Sequence, residues 1–144
     1  MRIVCIADTH EKHAQVKLPE GDILIHAGDF TWVGDPKPTL DFLDWAFMGT
    51  PEILSPIWAK IPKNLDILIT HGPPFGILDR TIRGVTAGCS KLLEAVQLKA
   101  PRIHVFGHIH EGYGMLKKNG TAFVNASLCN ANYDLVNKPV TIDL

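Results

Sequence analysis

The sequence predicts an α/β fold made of two or four layers of helices and mixed sheets. Short β-branched runs, which are typical of buried strands, recur along the chain. Strands and helices alternate at first, and the remainder of the chain reads mostly as strands. Four of the runs end at an aspartate or a histidine, at the position where open α/β sheets gather their ligands.

Two strands and two helices are predicted in the first part of the chain. The strands cover about 2–7 and 22–27, with a loop between them. After a loop rich in glycine and proline, an amphipathic helix is predicted from about Thr39, and Gly49-Thr50-Pro51 interrupts it. A second, short helix over about 55–60 opens with a serine N-cap and a proline at its first helical position.

The second part of the chain contains one helix and several strands. The helix over 90–98 is the clearest, because its leucines and valine fall on one side. The Asn-Gly pair at 119–120 is a strong signal for a hairpin turn. The predicted strands are 66–70, 102–106, 113–117, 121–125 and 140–143.

Composition indicates one soluble globular domain over residues 1–144. The hydrophobic fraction of 46% and the charged fraction of 20% are ordinary for this class. A net charge of −1 without a basic patch argues against binding to a nucleic-acid backbone. The apolar runs fall far short of the roughly 20 residues that a membrane span needs. Because no signal-peptide pattern precedes the first strand, a cytoplasmic location is the default expectation.

The residues at four strand ends predict a metal centre. The carboxyl ends of neighbouring strands meet at one edge of a sheet, so these side chains are expected to come together. Two aspartates and four histidines are enough for two metal ions that share a bridging carboxylate. They are Asp8 and His10 after the first strand, Asp29 after the second, His71 after the third, and His108 and His110 after the fourth.

The ligand types indicate which metals fit. Asp8 and His10 are two residues apart, and in an extended segment such side chains point the same way. His108 and His110 share this spacing. Imidazole and carboxylate ligands suit divalent Mn, Fe, Co, Ni or Zn, of which manganese is favoured. With Asp29 as the natural bridge, two such ions would lower the pKa of a bridging water and bind both non-bridging oxygens of a phosphate.

The other histidines receive different interpretations. His26 and His104 lie inside predicted strands, away from their ends, and are interpreted as structural. His13 follows the first ligand loop closely and is kept as a candidate that supports the ligands from behind. A single loop histidine is usually solvated, but coincidence is a poor explanation for six metal-binding residues at four strand ends.

Four short motifs join the ligands to their neighbours: Asp8-x-His10, Gly28-Asp29, His71-Gly72 and Gly107-His108-x-His110. Together they resemble the calcineurin-like metallophosphoesterases. The longer stretches 21–31, 70–74 and 104–114 resemble the branch that contains the animal metallophosphoesterase-domain-containing proteins and their bacterial relatives. The resemblance covers nearly the whole chain and implies a shortened α/β/β/α sandwich of mixed sheets.

The resemblance also implies roles for the ligands. One metal would be held by Asp8, His10, Asp29 and His110, and the second by Asp29, His71 and His108. The family hydrolyses phosphomonoesters and phosphodiesters, and this branch acts on cyclic nucleotide diesters among others.

One motif of the family is missing. Its Gly-Asn-His-Asp or Gly-Asn-His-Glu stretch supplies an asparagine to the second metal and a histidine that contacts phosphate and helps the leaving group depart. No histidine occurs between His26 and His71, and the single asparagine there is Asn64. An internal deletion near 45–49 is the simplest account. Asn125 is a candidate substitute ligand, and turn chemistry is its other interpretation.

The sequence therefore predicts a binuclear metal-dependent phosphodiesterase that acts on small-molecule diesters such as aryl diesters or cyclic nucleotides. A metal-bound hydroxide, held through Asp29, His71 and His108, would attack phosphorus. Without the family's acid, which is typically worth about 10²–10⁴-fold, substrates with good leaving groups should suffer least. The alternatives are a phosphomonoesterase or nuclease on the same centre, or a catalytically silent protein-binding module, a use that the retromer subunit makes of this fold. Apolar surface exposed by the deletion would favour a homodimer.

Overall fold

Two mixed β-sheets form the framework of the computed structural model, which describes residues 1–31 and 50–144. The first sheet contains β1 (Arg2–Ile6), β2 (Ile23–His26) and β7 (Val140–Asp143). Its order is β2-β1-β7, so the central β1 pairs in parallel with β2 and antiparallel with β7. These three strands lie where the sequence predicts them: β7 has the predicted bounds, β1 ends one residue early, and β2 is one residue shorter at each end.

The second sheet contains β3 (Ile67–Ile69), β4 (Ile103–Phe106), β5 (Gly114–Lys118) and β6 (Thr121–Asn125). Its order is β3-β4-β6-β5, with β5 antiparallel to β6 and the other pairs parallel. The predicted hairpin turn is confirmed. Asn119 (φ 50°) and Gly120 (φ 86°) both have the left-handed backbone that a two-residue turn requires.

Helix α1 begins earlier than the sequence predicts. It covers Pro51–Ala59 with Thr50 as its N-cap, so the N-cap predicted at Ser55 is wrong. The Thr-Pro pair offers the same start signal, and the earlier start brings the buried Leu54 into the helix. Pro56 then lies inside the helix, where a proline costs about 3 kcal/mol. That cost is on the scale of burying one or two large apolar side chains.

Helix α2 covers Ser90–Lys99 as predicted, with one added residue at its end. Both helices pack in a buried cluster with β3, β4 and β6, in which Trp58, Leu92, Phe106 and Phe123 are central. They therefore cover the outer face of the second sheet.

The main core lies between the two sheets. It joins side chains of the first sheet, such as Ile3 and Cys5, to Val105 and Val124 of the second, and all four are fully buried. Two sheets packed face to face with helices outside confirm the predicted α/β sandwich of mixed sheets. Neither helix in the described parts of the chain has the length and apolar character needed to cross a lipid bilayer.

Two short 3-10 turns, His13–Gln15 and His110–Gly112, interrupt segments that the sequence predicts as loops. The amphipathic helix predicted from Thr39 falls mostly on 32–49, which lie outside the described residues. The same is true of the deletion point predicted near 45–49.

Candidate metal centre

The six predicted ligands fall into two groups at the ends of the strands. In each group one ligand atom per residue lies within 4.8 Å of the others. In the first group, His10 Nε2 and His110 Nε2 are 3.5 Å apart, and in the second, His71 Nε2 and Asp29 Oδ1 are 3.4 Å apart. Two metal bonds of about 2.0–2.2 Å to a common ion give such a separation. The groups are Asp8, His10 and His110, and Asp29, His71 and His108.

The backbone turns sharply at four of these ligands. Asp8, His10, Asp29 and His108 all have left-handed φ values, of 53°, 41°, 53° and 69°. Aspartate and histidine adopt this region more readily than most residues, but conformations of this kind still cost on the order of 1–3 kcal/mol each. They are held by main-chain bonds between loops, in which Asp8 N–H donates to Gly28 O and His10 N–H to Asp29 O, both at 3.0 Å.

These turns overturn the spacing argument for one pair. His108 and His110 are two residues apart, but the structure places His108 with the second group and His110 with the first. The backbone between them is not extended, because His108 is left-handed and a 3-10 turn begins at His110. Asp8 and His10 do share a group, again through left-handed rather than extended backbone.

Two glycines of the motifs make the close approach possible. Gly28 has φ 103°, and a Cβ added there would lie 2.5 Å from His71 Nδ1. A Cβ at Gly107 would overlap Asp8 Oδ2 and lie 2.6 Å from Ala7 Cβ. Real Cβ atoms do not approach so closely, so any side chain at either position would displace a ligand.

Hydrogen bonds fix which ring nitrogen of two histidines faces the centre. His71 Nδ1–H donates to Ala27 O at 3.1 Å, and His110 Nδ1–H donates to Asn130 O at 2.8 Å. When either ring is neutral, the opposite nitrogen, Nε2, then carries the lone pair and is the atom offered to its group. Metal-binding histidines are oriented in this way by a carbonyl or carboxylate behind the ring.

Asp8 supplies the test of whether a cation fits. Its side chain is fully buried, and its Oδ2 accepts hydrogen bonds from His108 N–H at 2.9 Å and from Ser127 Oγ at 2.5 Å. Its Oδ1 is also buried, and no hydrogen-bond donor reaches it in the described parts of the chain. A buried carboxylate oxygen without a partner is costly. An ion beside Oδ1 would remove that cost, so the donor set fits a divalent metal.

Charge coupling links Asp29 to its neighbours. Burial alone would raise the pKa of Asp29, but its hydrogen bond to His71 and the charge there bring the pKa below its ordinary value. Burial would likewise lower the pKa of His71, and Asp29 raises it above the ordinary value instead. Burial lowers the pKa of His108, with a further contribution from His71. The second group therefore favours a carboxylate beside a cation.

The two further candidates lie outside both groups. Asn125 is fully buried, and its Nδ2 donates to Leu78 O and Ile109 O. Its Oδ1 accepts from Ser127 N–H at 3.2 Å, so its amide is engaged in holding loops together. His13 is exposed on its 3-10 turn.

Sequence reasoning missed two residues that contact the ligands. Ser127 bonds to Asp8, and the Asn125-Ala126-Ser127 stretch after β6 was the only signal for it. The ring of Tyr133 lies edge-on to His10 and His110, with centroid distances of 4.8 Å and 5.3 Å. No sequence pattern points to Tyr133, because it reaches the centre from a distant loop.

No family model matches the chain. Relatives are nevertheless clear. Metallophosphoesterase domain-containing protein 1 of Homo sapiens and that of Mus musculus are each 32% identical to the chain, over 99% of the chain and 71% of their own length. A UPF0046 protein of Caenorhabditis elegans is 41% identical over 126 residues, which are 85% of this chain and 31% of that protein.

The alignment with the human protein also bears on the missing motif. It runs over 230 residues, whereas this chain has 144, so the human protein carries stretches that this chain lacks. Among solved structures, a conserved uncharacterized protein of Streptococcus pneumoniae, described as a predicted phosphoesterase, matches with a TM-score of 0.47 and 18% identity. The match covers 99% of this chain and 83% of that one.

Proposed function

The chain belongs to the calcineurin-like metallophosphoesterase family, and on that premise we propose that it is a binuclear metal-dependent phosphodiesterase. The observation that carries the proposal is the pair of ligand groups at adjoining strand ends, where the buried Asp8 Oδ1 has no hydrogen-bond donor among the described residues and lies 4.0 Å from His71 Nδ1. Family membership supports phosphoester hydrolysis with divalent metal ions, and the binuclear site and the preference for diesters are what we add.

Asp8, His10 and His110 would hold one ion, and Asp29, His71 and His108 the other, with Asp29 shared. Bound divalent ions would supply positive charge for the phosphate oxygens and increase the acidity of a water. The chain's own contribution is to fix the ligands before any ion arrives. It does so through the left-handed turns, the Nδ1 hydrogen bonds behind His71 and His110, and the two bonds to Asp8 Oδ2.

The preference for good leaving groups follows from the histidines. The chain has seven, of which four are ligands in the two groups. His26 and His104 are bonded to threonines, and His13 is exposed on its 3-10 turn. No histidine is then assigned to protonate a leaving group. Aryl diesters need such help least, because their leaving groups depart as weakly basic anions.

The test is hydrolysis of bis(p-nitrophenyl) phosphate and p-nitrophenyl phosphate with Mn²⁺, for the wild type and for Asp29→Ala. We expect turnover of the diester to exceed that of the monoester and to be lost in Asp29→Ala. The matched control is Asp66→Ala, which removes an exposed carboxylate that pairs with Arg102 on the surface. It should retain wild-type turnover.

The outcomes separate the alternatives. A monoester rate above the diester rate would make the chain a phosphomonoesterase on the same centre. No turnover with any divalent metal, together with no bound metal by elemental analysis, would favour a protein-binding module. About two ions per chain with diester turnover would support the binuclear phosphodiesterase.

A further inference from the structure

Two histidines outside the ligand groups occupy equivalent positions in the two sheets. His26 lies on β2 and pairs in register with Ile6 at the end of β1. His104 lies on β4 and pairs in register with Leu68 near the end of β3. Each histidine is thus on the parallel neighbour of a strand whose following loop carries metal ligands.

His104 contacts the loop that carries His71. The ring of His104 is fully buried, and its Nε2 lies 2.9 Å from Thr70 Oγ1. The Thr70 hydroxyl donates its single proton to Gly72 O at 2.8 Å. His104 Nε2–H must therefore be the donor to Thr70. Thr70 and Gly72 stand on either side of His71, so this chain of two hydrogen bonds clamps the backbone of that ligand.

His26 makes the corresponding contact in the first sheet. Its Nε2 lies 3.0 Å from Oγ1 of Thr9. Thr9 is fully buried and stands between Asp8 and His10, the two ligands that the first group takes from this loop. The same pair of residue types, histidine on one strand and threonine in the loop after its neighbour, thus serves each group.

Neither histidine is what packing alone would select. The Nδ1 atoms of His26 and His104 are both buried, and no hydrogen bond reaches them within the described residues. Burying a polar nitrogen without a partner is unfavourable. The ring of His104 packs against Phe106 and Phe123, at centroid distances of 5.0 Å and 5.9 Å, where another aromatic side chain would fit without this cost. What the imidazole adds at each site is the bond to threonine.

We propose that His104 and His26 are positioning residues for the two ligand groups. Through Thr70, His104 fixes the His71 loop of the second group, and through Thr9, His26 fixes the Asp8-to-His10 loop of the first. The inference rests on the proposed function only in taking the two groups to bind metal.

The experiment is a titration of the metal-free protein with Mn²⁺, read by calorimetry, together with thermal unfolding. His104→Phe keeps an aromatic ring in the core and removes the donor. Thr70→Val keeps the shape of the threonine and removes the hydroxyl. Each should weaken one of the two Mn²⁺ sites by about tenfold, the lower end of what mutation of a ligand's hydrogen-bonding support typically costs.

Three comparisons separate positioning from a general loss of stability. His104→Gln, whose amide N–H can reach Thr70 in place of Nε2–H, should restore the affinity. The double variant His104→Phe/Thr70→Val should bind no more weakly than either single variant, because both break one chain of bonds. Thr121→Val is the matched control, since it removes a buried hydroxyl that bonds to Pro101 O away from both groups, and it should leave Mn²⁺ affinity unchanged.

A crossed design assigns each histidine to its group. In a His71→Ala background, which removes the second group, His26→Phe should weaken the remaining site and His104→Phe should not. In a His110→Ala background the dependence should reverse.

Two results would overturn the inference. If the wild type binds two ions and His104→Phe and His26→Phe lower only the melting temperature, the histidines are structural and the proposed function stands. If the wild type binds no divalent metal, the inference and the proposed function both fail.

Discussion

Ser127→Ala is the sharpest single test of how the centre is built. The Ser127 hydroxyl lies 2.5 Å from Asp8 Oδ2 and 2.7 Å from Asn125 Oδ1, and it has one proton to give. The carboxylate is the stronger acceptor because it is charged. The substitution therefore removes a charge-assisted hydrogen bond from a carboxylate whose other oxygen already has no hydrogen-bond donor among the described residues.

The expected magnitude follows from burial. Asp8, Asn125 and Ser127 are all fully buried, so water cannot replace the hydroxyl without a rearrangement. A hydrogen bond to a charged group contributes about 1.5–3 kcal/mol. For a domain of this size each kcal/mol shifts the melting temperature by roughly 3–4 °C, so the metal-free variant should melt roughly 5–10 °C lower. Because Oδ2 is then held only by His108 N–H, Mn²⁺ affinity should also fall by about tenfold.

The assay is thermal unfolding with and without saturating Mn²⁺, alongside a binding titration. Ser55→Ala is the control, because Ser55 is an exposed serine on α1, far from the ligands in the sheet loops. If Ser127→Ala loses no more stability than Ser55→Ala and binds Mn²⁺ with wild-type affinity, the bond to Asp8 does not support the centre.

Three further predictions follow from the same geometry. Gly107→Ala should lose metal binding and about 1–3 kcal/mol of unfolding free energy, as expected when a core is overpacked. The control is Gly72→Ala, whose added Cβ would meet nothing within 4 Å and which should be as stable as the wild type. Denaturant unfolding measures the stability of both variants. The raised pKa of His71 means that this ring holds its proton longer than usual, so Mn²⁺ binding at the second group must displace that proton and should tighten as pH rises through the pKa. Titrations from pH 5 to 8 measure this, and a pH-independent affinity there would contradict it. For aryl phosphodiesters, the logarithm of kcat should fall steeply as the pKa of the leaving phenol rises, and a flat line with chemistry rate-limiting would show that some group does protonate it.

The same shifts fix the pH dependence of the metal-free fold. The pKa of Asp29 is lowered in the folded chain, so its contribution to stability is present above the unfolded value of 3.8 and is lost as pH falls through the folded pKa. The pKa of His71 is raised, so its contribution is present below 6.5 and is lost as pH rises through the folded pKa. The pair therefore stabilises the metal-free protein most between these two limits.

Local patterns were sufficient wherever one short segment decides the structure. Among the described residues, apolar runs rich in β-branched side chains located most of the strands, and the Asn-Gly pair at 119–120 located the hairpin that contains β5 and β6. The start of helix α1 was misplaced because Thr50-Pro51 and Ser55-Pro56 carry the same signal, and the burial of Leu54 in the cluster with the second sheet favours the earlier one. Sequence signals for helix starts contain no information about such tertiary burial.

In the metal centre, too, local sequence patterns predicted some features and only the tertiary structure revealed others. The ligand residues were evident because each follows a strand, and the family resemblance implied the two groups in which the structure places them, whereas residue spacing alone did not. His108 and His110 separate through a left-handed residue and a 3-10 turn, neither of which has a sequence signature in a segment of alternating polar and apolar residues. Ser127 reaches Asp8, and Tyr133 reaches His10, across more than a hundred residues of chain, so only the tertiary structure reveals these contacts. His26 and His104 were interpreted as structural from their place inside strands, and their threonine partners, which lie on other segments, appear only in the tertiary structure.

Each ligand group draws on both sheets, and this connects the metal centre to the fold. Asp8 and His10 follow a strand of the first sheet, whereas His110 follows a strand of the second. Asp29 likewise follows a strand of the first sheet, whereas His71 and His108 follow strands of the second. The sheets are already joined beside Asp8, where Ala7 N–H donates to Ala126 O at 2.8 Å and Leu128 N–H donates to Ala7 O at 2.9 Å.

A bound ion in either group would therefore cross-link the two sheets at the edge where their main chains meet. Ligand binding to the folded state alone stabilises it by about 2.7 kcal/mol at a concentration 100 times the Kd. The left-handed turns at the ligands, and the burial of Asp8 Oδ1 without a hydrogen-bond donor among the described residues, reduce the stability of the metal-free fold. Both lie at the ligand groups, where a bound ion would stabilise the folded state. The chain thus places left-handed backbone at four of its six ligands, beside the edge where a cation would offset the cost, which is the arrangement expected of a preorganised metal centre.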